Sequence, residues 1–113
     1  MSQFKRGKVK LPPFIMVRKD LLQDVEWKKL TSGAKILWLY LRNYWDYSNS
    51  KETQVTYSQM KGIMGSKAMS RALKELLDNS WIENTKKGGL FQGVSKYKFI
   101  GKYKDFYYNS KVV

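Results

Sequence analysis

The stretch SKAMSRALKELLDN, residues 66–79, decides the fold. Its apolar residues recur at the i, i+3, i+4, i+7 and i+8 positions of one helix face, namely Met69, Ala72, Leu73, Leu76 and Leu77. This spacing predicts an amphipathic helix from about Lys67 to Asn79, with Ser66 as its N-cap residue. The opposite face is basic toward the N-terminus and carries Lys67, Arg71, Lys74 and Asp78, with Ser70 on its flank.

A shorter helix is predicted immediately upstream. Thr56 is followed three residues later by Gln59, a pattern typical of a capping box. A helix that begins there would turn Met60 and Ile63 toward the core. The glycines at positions 62 and 65 favour an end near Met64. Two helices are therefore expected in succession, with a tight turn between them.

A β-hairpin is predicted downstream of the two helices. Trp81–Thr85 is typical of a first strand, and residues 95–100 alternate lysines with aromatic residues, as a half-buried return strand does. Between them, the Lys-Lys-Gly-Gly run at 86–89 favours a turn, because glycine adopts positive φ readily. The tip would present Lys86 and Lys87, and the return strand adds Lys96. A weaker strand pattern covers residues 53–56.

The N-terminal third of the chain is predicted to pack over the two helices and the hairpin. Residues 2–13 form a basic arm that ends at Pro12-Pro13, and Phe14–Val17 is a short apolar run expected to lie extended against the core. Lys19–Leu30 is predicted as one helix. Its expected inward-facing residues are Leu21, Leu22, Val25 and Trp27.

The next helix is predicted to run from Thr31, its N-cap, to about Tyr44 or Asp46. One face collects Ala34, Leu37, Trp38, Leu41, Tyr44 and Trp45, and the other side carries Ile36, Leu39 and Tyr40. A helix that is apolar on both sides must be covered on both. The Phe14–Val17 run and the preceding helix can do this within one chain, which we favour. A homodimer is the alternative.

Length, net charge and residue composition limit the classes of partner that the protein can have. The chain has 113 residues, enough for one hydrophobic core, and a net charge of +13. Such a charge on a short chain indicates a polyanionic partner. The longest apolar run, residues 36–41, is far shorter than the roughly 20 residues of a membrane-spanning helix. No secretory signal precedes it and the chain has no cysteine, so we expect a cytoplasmic protein without membrane contact.

The sequence offers little catalytic chemistry. It contains neither histidine nor cysteine, which removes the usual zinc sites and the Ser-His and Cys-His nucleophile pairs. Asp24 and Glu26 are the closest pair of acidic residues and would not share a helix face. No glycine-rich phosphate loop is present. We therefore expect no enzyme activity, catalytic residue, metal or cofactor.

The order of helix, turn, helix and hairpin resembles a winged helix-turn-helix domain. The resemblance rests on VTYSQM at 55–60, MGSKAMSRALKEL at 64–76 and WIE at 81–83, and extends over roughly residues 14–100. These segments are similar to the N-terminal domains of phage and plasmid replication initiators, including replication protein O, and MarR-like regulators share most of the pattern. One departure is Ser80, since many relatives carry glycine before the first strand of the wing.

The resemblance implies an α+β fold of three or four helices with a C-terminal hairpin wing. It divides the chain into the arm at 1–13, the winged-helix domain at 14–101 and an aromatic, basic segment at 102–113. It also implies binding of double-stranded DNA in replication initiation or transcriptional regulation, with protein or RNA binding as the alternative. Residues expected to contact DNA are Ser66, Lys67, Ser70, Arg71, Lys74, Lys86, Lys87 and Lys96, with Lys5, Arg6 and Lys8 of the arm as further candidates.

Side-chain geometry assigns different expected roles to these residues. Arg71 is the arginine of the basic helix face, and its planar fork suits guanine O6 and N7. Lys67 and Lys74 suit phosphates as point charges. In the C-terminal segment, the spacing of Tyr103, Phe106 and Tyr107 predicts a short helix that packs on the core or on a second subunit.

Overall fold

The structure is a computed structural model that describes residues 12–45, 52–86 and 95–104. These residues form helices and a two-stranded antiparallel hairpin, which agrees with the predicted α+β class. The elements are α1 (Lys19–Gln23), α2 (Val25–Lys29), α3 (Ser32–Asn43), α4 (Ser66–Asp78), β1 (Ile82–Lys86) and β2 (Lys96–Phe99).

Helix α4 confirms the predicted amphipathic helix to within one residue at each end. Met69, Ala72 and Leu76 are buried, and Leu73 and Leu77 are half-buried against the same core. Burial of this apolar stripe is the main reason that the segment is helical here.

The predicted cap of α4 is wrong by one position. The N-cap is Gly65, whose backbone is extended (φ −80°, ψ 172°), and Ser66 is already the first helical residue. Glycine is itself accepted at the N-cap position, so the local sequence did not distinguish the two.

The C-terminal end of α4 is a Schellman motif. The amide of Trp81 donates to the carbonyl of Leu76 at 2.9 Å, and the amide of Ser80 donates to that of Leu77 at 3.2 Å. Ser80 adopts φ 62°, the left-handed conformation that favours glycine. Trp81 and Leu76 are both buried, and their packing accompanies the hydrogen bonds. The motif directs the chain from α4 into β1.

Residues 56–64 contain the predicted capping box but not the predicted helix. The amide of Thr56 donates to Oε1 of Gln59 at 2.8 Å, and the amide of Gln59 donates to Oγ1 of Thr56 at 3.1 Å. Consecutive turns follow instead of an α-helix, and within them Gly62 adopts φ 89°, a left-handed conformation that an α-helix does not continue through. Met60 is fully buried as predicted, whereas Ile63 is 43% exposed and its predicted burial is wrong.

The single helix predicted over Lys19–Leu30 is wrong, because it divides at Asp24. Asp24 has an extended backbone and caps α2, since its Oδ1 accepts from the amide of Glu26 at 2.8 Å. The break changes which side chains face inward. Leu21 and Trp27 are buried as predicted, whereas Leu22 and Val25 are 50% and 59% exposed.

The start of α3 is confirmed and is joined to α4. The Oγ1 of Thr31 accepts from the amide of Ala34 at 3.3 Å. The hydroxyl and amide of Thr31 also donate to the carboxylate of Glu75 at 2.6 and 2.9 Å. Glu75 therefore ties the N-cap of α3 to the last turn of α4. The predicted inner face of α3 is buried at Ala34, Leu37, Trp38 and Leu41.

The second side of α3 is only partly covered. Ile36 is 38% exposed, and Leu39 and Tyr40 are half-buried. The predicted cover from Phe14–Val17 is wrong: Phe14 and Met16 are 69% and 51% exposed. The run has no strand neighbour among the described residues, so no ladder of backbone hydrogen bonds holds it on the core.

Four large aromatic rings fill the centre of the core. Trp38 meets Trp27, Trp81 and Phe99 edge to face, with ring centroids 5.4, 6.4 and 5.6 Å apart. The buried guanidinium of Arg42 lies 4.1 Å from the Phe99 ring centroid and donates to the backbone carbonyls of residues 103 and 104. This arginine anchors the chain beyond β2 to α3, and no feature of the sequence predicted its burial.

The hairpin pairs Ile82 with Phe99 and continues outward to Lys86 opposite Lys96, with a bulge after Asn84. Tyr97 and Phe99 are buried, which confirms the predicted alternation of β2. Lys86 lies in β1, so its predicted place in the turn is wrong. The strand predicted at 53–56 is reduced to one antiparallel bridge, in which Thr53 and Tyr97 exchange backbone hydrogen bonds of 2.7 and 2.8 Å.

Candidate nucleic-acid interface

The solvent-facing side of α4 carries the predicted cations. Lys67, Arg71 and Lys74 are exposed and follow one another at i, i+4 and i+7, so they share a helix face. The Nζ of Lys74 lies 2.9 Å from Oδ2 of Asp78. Within the described part of the chain, no ion pair engages Lys67 or Arg71. The uncompensated charge of α4 is therefore concentrated in its N-terminal half.

A side chain from the preceding turns joins this face. The hydroxyl of Tyr57 lies 3.3 Å from Oγ of Ser70, and the Tyr57 side chain is 57% exposed. A shallow depression beside this contact is lined by Tyr57, Ser66, Lys67, Ser70 and Arg71. We call these five residues the α4 cradle. Tyr57 was not among the predicted site residues, because no pattern in the sequence places its hydroxyl next to α4.

Ion pairs join several acidic side chains to neighbouring cations. Asp20 pairs with Arg18, Glu26 with Lys29, Asp24 with Lys102 and Glu83 with Lys98, at 2.6, 3.6, 2.9 and 3.5 Å. On α4 itself, Asp78 pairs with Lys74. Among the described residues, no carboxylate lines the α4 cradle. The cradle therefore keeps its positive charge and suits an anionic ligand.

The outer end of the hairpin holds a second pair of cations. Lys86 and Lys96 are partners in the antiparallel register, so their side chains start from directly opposed positions. Like charges that face each other across two strands destabilise the sheet. The neighbouring outward pair, Glu83 and Lys98, has opposite charges. An anion between Lys86 and Lys96 would relieve their repulsion.

The remaining predicted contacts lie outside the described residues. These are Lys87 in the hairpin turn and Lys5, Arg6 and Lys8 in the N-terminal arm. The predicted helix through Phe106 and Tyr107 also lies outside them.

The strongly perturbed titratable groups belong to another region. Hydrogen bonds from the Tyr103 hydroxyl, at 2.7 Å, and from Lys102 lower the pKa of Asp24 to about 2. Burial and the hydrogen bond to Asp24 raise the pKa of Tyr103 to about 12. Tyr103 also stacks on Trp81, with ring centroids 6.0 Å apart. These groups hold the chain after β2 against the α1–α2 junction and do not line the cradle.

The described ranges lack two other kinds of feature. They contain no group of three or more acidic, histidine or cysteine side chains that could hold a metal ion. No helix within them has the length and apolar character needed to cross a membrane. Comparison with protein-family models, curated proteins and solved structures finds no match to this chain.

Proposed function

We propose that the protein is a winged-helix protein that binds double-stranded DNA in the cytoplasm. In this proposal α4 enters the major groove and the β1–β2 hairpin is the wing that contacts the backbone. Support comes from the order of elements: α3, the bridge at Thr53, the turns at 56–64, α4 and then the hairpin. The process served is replication initiation or transcriptional regulation, as the resemblance to phage and plasmid initiators suggests for a mobile element.

The observation that carries the proposal is the pair of exposed, unpaired cations Lys67 and Arg71 on the outer face of α4. A major groove about 12 Å wide admits an α-helix, and proteins of this class place the N-terminal half of the recognition helix against base edges. The apolar stripe of α4 faces the core, so the cationic face is the one available to DNA. Arg71 is the proposed base reader, and Lys67 a phosphate contact.

Binding-site selection from random duplex DNA, followed by titration at several salt concentrations, tests the proposal. Log affinity should fall steeply with log salt, because each lysine that meets a phosphate releases counterions. Lys67→Gln should make the slope shallower by about 1. Lys28→Gln is the matched control, since Lys28 is an equally exposed lysine on α2. Absence of duplex binding at low salt would refute the proposal.

The exposed apolar residues favour a second candidate, a protein- or RNA-interaction module. Phe14, Met16, Leu22 and Val25 are each at least half exposed, between 50% and 69%, within one short stretch of chain. Apolar side chains that are exposed together can serve as a contact surface, and a homodimer formed through these residues is compatible with DNA binding. Analytical sedimentation of the wild type and of the double variant Phe14→Ser/Val25→Ser shows whether these residues form a homodimer contact. Self-association that the double variant abolishes supports the dimer.

A further inference from the structure

The α4 cradle contains a hydrogen-bond donor that no acceptor among the described residues engages. The hydroxyls of Tyr57 and Ser70 lie 3.3 Å apart, and either can donate to the other. Each hydroxyl has one hydrogen. One hydrogen is spent within the pair, and the other remains available to an outside acceptor. The pair therefore always offers one donor at the cradle, whichever residue supplies it.

The position of Tyr57 is set by the turn that carries it. It follows Thr56, whose amide and hydroxyl are both held by Gln59, and precedes the fully buried Met60. The backbone at Tyr57 is thus fixed on both sides while its ring is exposed. The contact of its hydroxyl with Ser70 restricts the ring as well, and a preorganised side chain loses less freedom when it binds a ligand.

We propose that Tyr57, with Ser70, contacts a backbone phosphate of duplex DNA and so positions α4 in the groove. This inference rests on the proposed function. Cations and hydroxyl donors converge on the cradle, and no carboxylate of the described residues lines it, which matches a phosphate oxyanion. Tyrosine and serine hydroxyls are common phosphate contacts, and such contacts set the register of a protein on the duplex without reading its sequence. Tyr57 is a positioning residue in this scheme, while Arg71 reads bases.

The test is a titration of wild type, Tyr57→Phe, Ser70→Ala and the double variant against a selected duplex and a random duplex at several salt concentrations. The double variant should lower affinity about 10- to 100-fold, the effect of one hydrogen bond to a charged group. Each single variant leaves one hydroxyl donor at the cradle and should lose less. The losses should be equal for both duplexes. The salt slope should be unchanged, because no ionic contact has been removed.

Tyr40→Phe is the matched control, because Tyr40 lies on α3 and does not line the cradle. It should bind like the wild type, and Tyr57→Phe should keep the wild-type melting temperature, since its ring is exposed. Wild-type affinity of the double variant for both duplexes would overturn the inference and leave the proposed function intact. A loss confined to the selected duplex would also overturn it, because Tyr57 would then be a base reader. Failure of the wild type to bind duplex would refute the proposed function as well.

Discussion

Ser80→Gly should stabilise the protein. Ser80 holds φ 62° at the end of α4, and a left-handed backbone costs an L-residue about 1–2 kcal/mol. Glycine does not have this cost, but its greater freedom in the unfolded chain lowers stability by about 0.5–1 kcal/mol. The difference predicts a gain of about 0.5–1 kcal/mol in the free energy of unfolding. Among the described residues no hydrogen bond engages the Ser80 side chain, so the substitution removes no favourable contact.

Urea denaturation of both proteins measures the gain directly, as a higher midpoint at an unchanged slope. Gly62→Ser is the reciprocal control. Gly62 adopts φ 89° and open space surrounds the position of an added Cβ, so the substitution tests backbone strain alone. It should destabilise the fold by about 1 kcal/mol. A lower midpoint for Ser80→Gly would refute the left-handed conformation, and with it the Schellman geometry that directs β1.

Three further predictions concern stability. Leu76→Ala should cost about 2–5 kcal/mol because Leu76 is fully buried, and Leu73→Ala should cost less because Leu73 is half-buried; thermal melts compare them. The Asp24→Asn variant should lose less stability than the wild type when the pH is lowered. The lowered pKa of Asp24 contributes stability above pH 3.8 that is lost as the pH falls toward 2, and melts across this window measure it. Arg42→Lys should cost about 1–3 kcal/mol in urea denaturation, because one ammonium group cannot reproduce the planar fork that reaches two carbonyls.

Helix α4 was predictable because its evidence is local. Its apolar residues repeat at helical spacing and its polar residues occupy the other face, so both boundaries followed to within one residue. The capping box of Thr56 and Gln59 and the N-cap at Thr31 were equally predictable, since each is a short-range side-chain pattern. The apolar stripe of α4 also fixed which face points outward, and this predicted that Lys67 and Arg71 are exposed.

The features that the sequence did not predict depend on long-range contacts. The pattern placed Asp24 inside a helix, but Asp24 caps α2, and its second carboxylate oxygen accepts from Lys102 and Tyr103, nearly 80 residues away in the chain. The resulting break exposed Leu22 and Val25, whose burial had been inferred from one continuous helix. The Tyr57–Ser70 contact likewise joins two elements whose approach depends on tertiary packing. Sequence periodicity carries no information about such pairs.

We propose that α4 reads duplex DNA through Arg71. Titration of wild type and Arg71→Ala against a selected and a random duplex at one salt concentration tests this proposal most directly. The proposed bidentate guanine contact predicts that the variant loses about 1–3 kcal/mol of binding to the selected duplex and much less to the random one. Equal losses on both duplexes would show that Arg71 only holds a phosphate, and would contradict the placement of α4 in the groove.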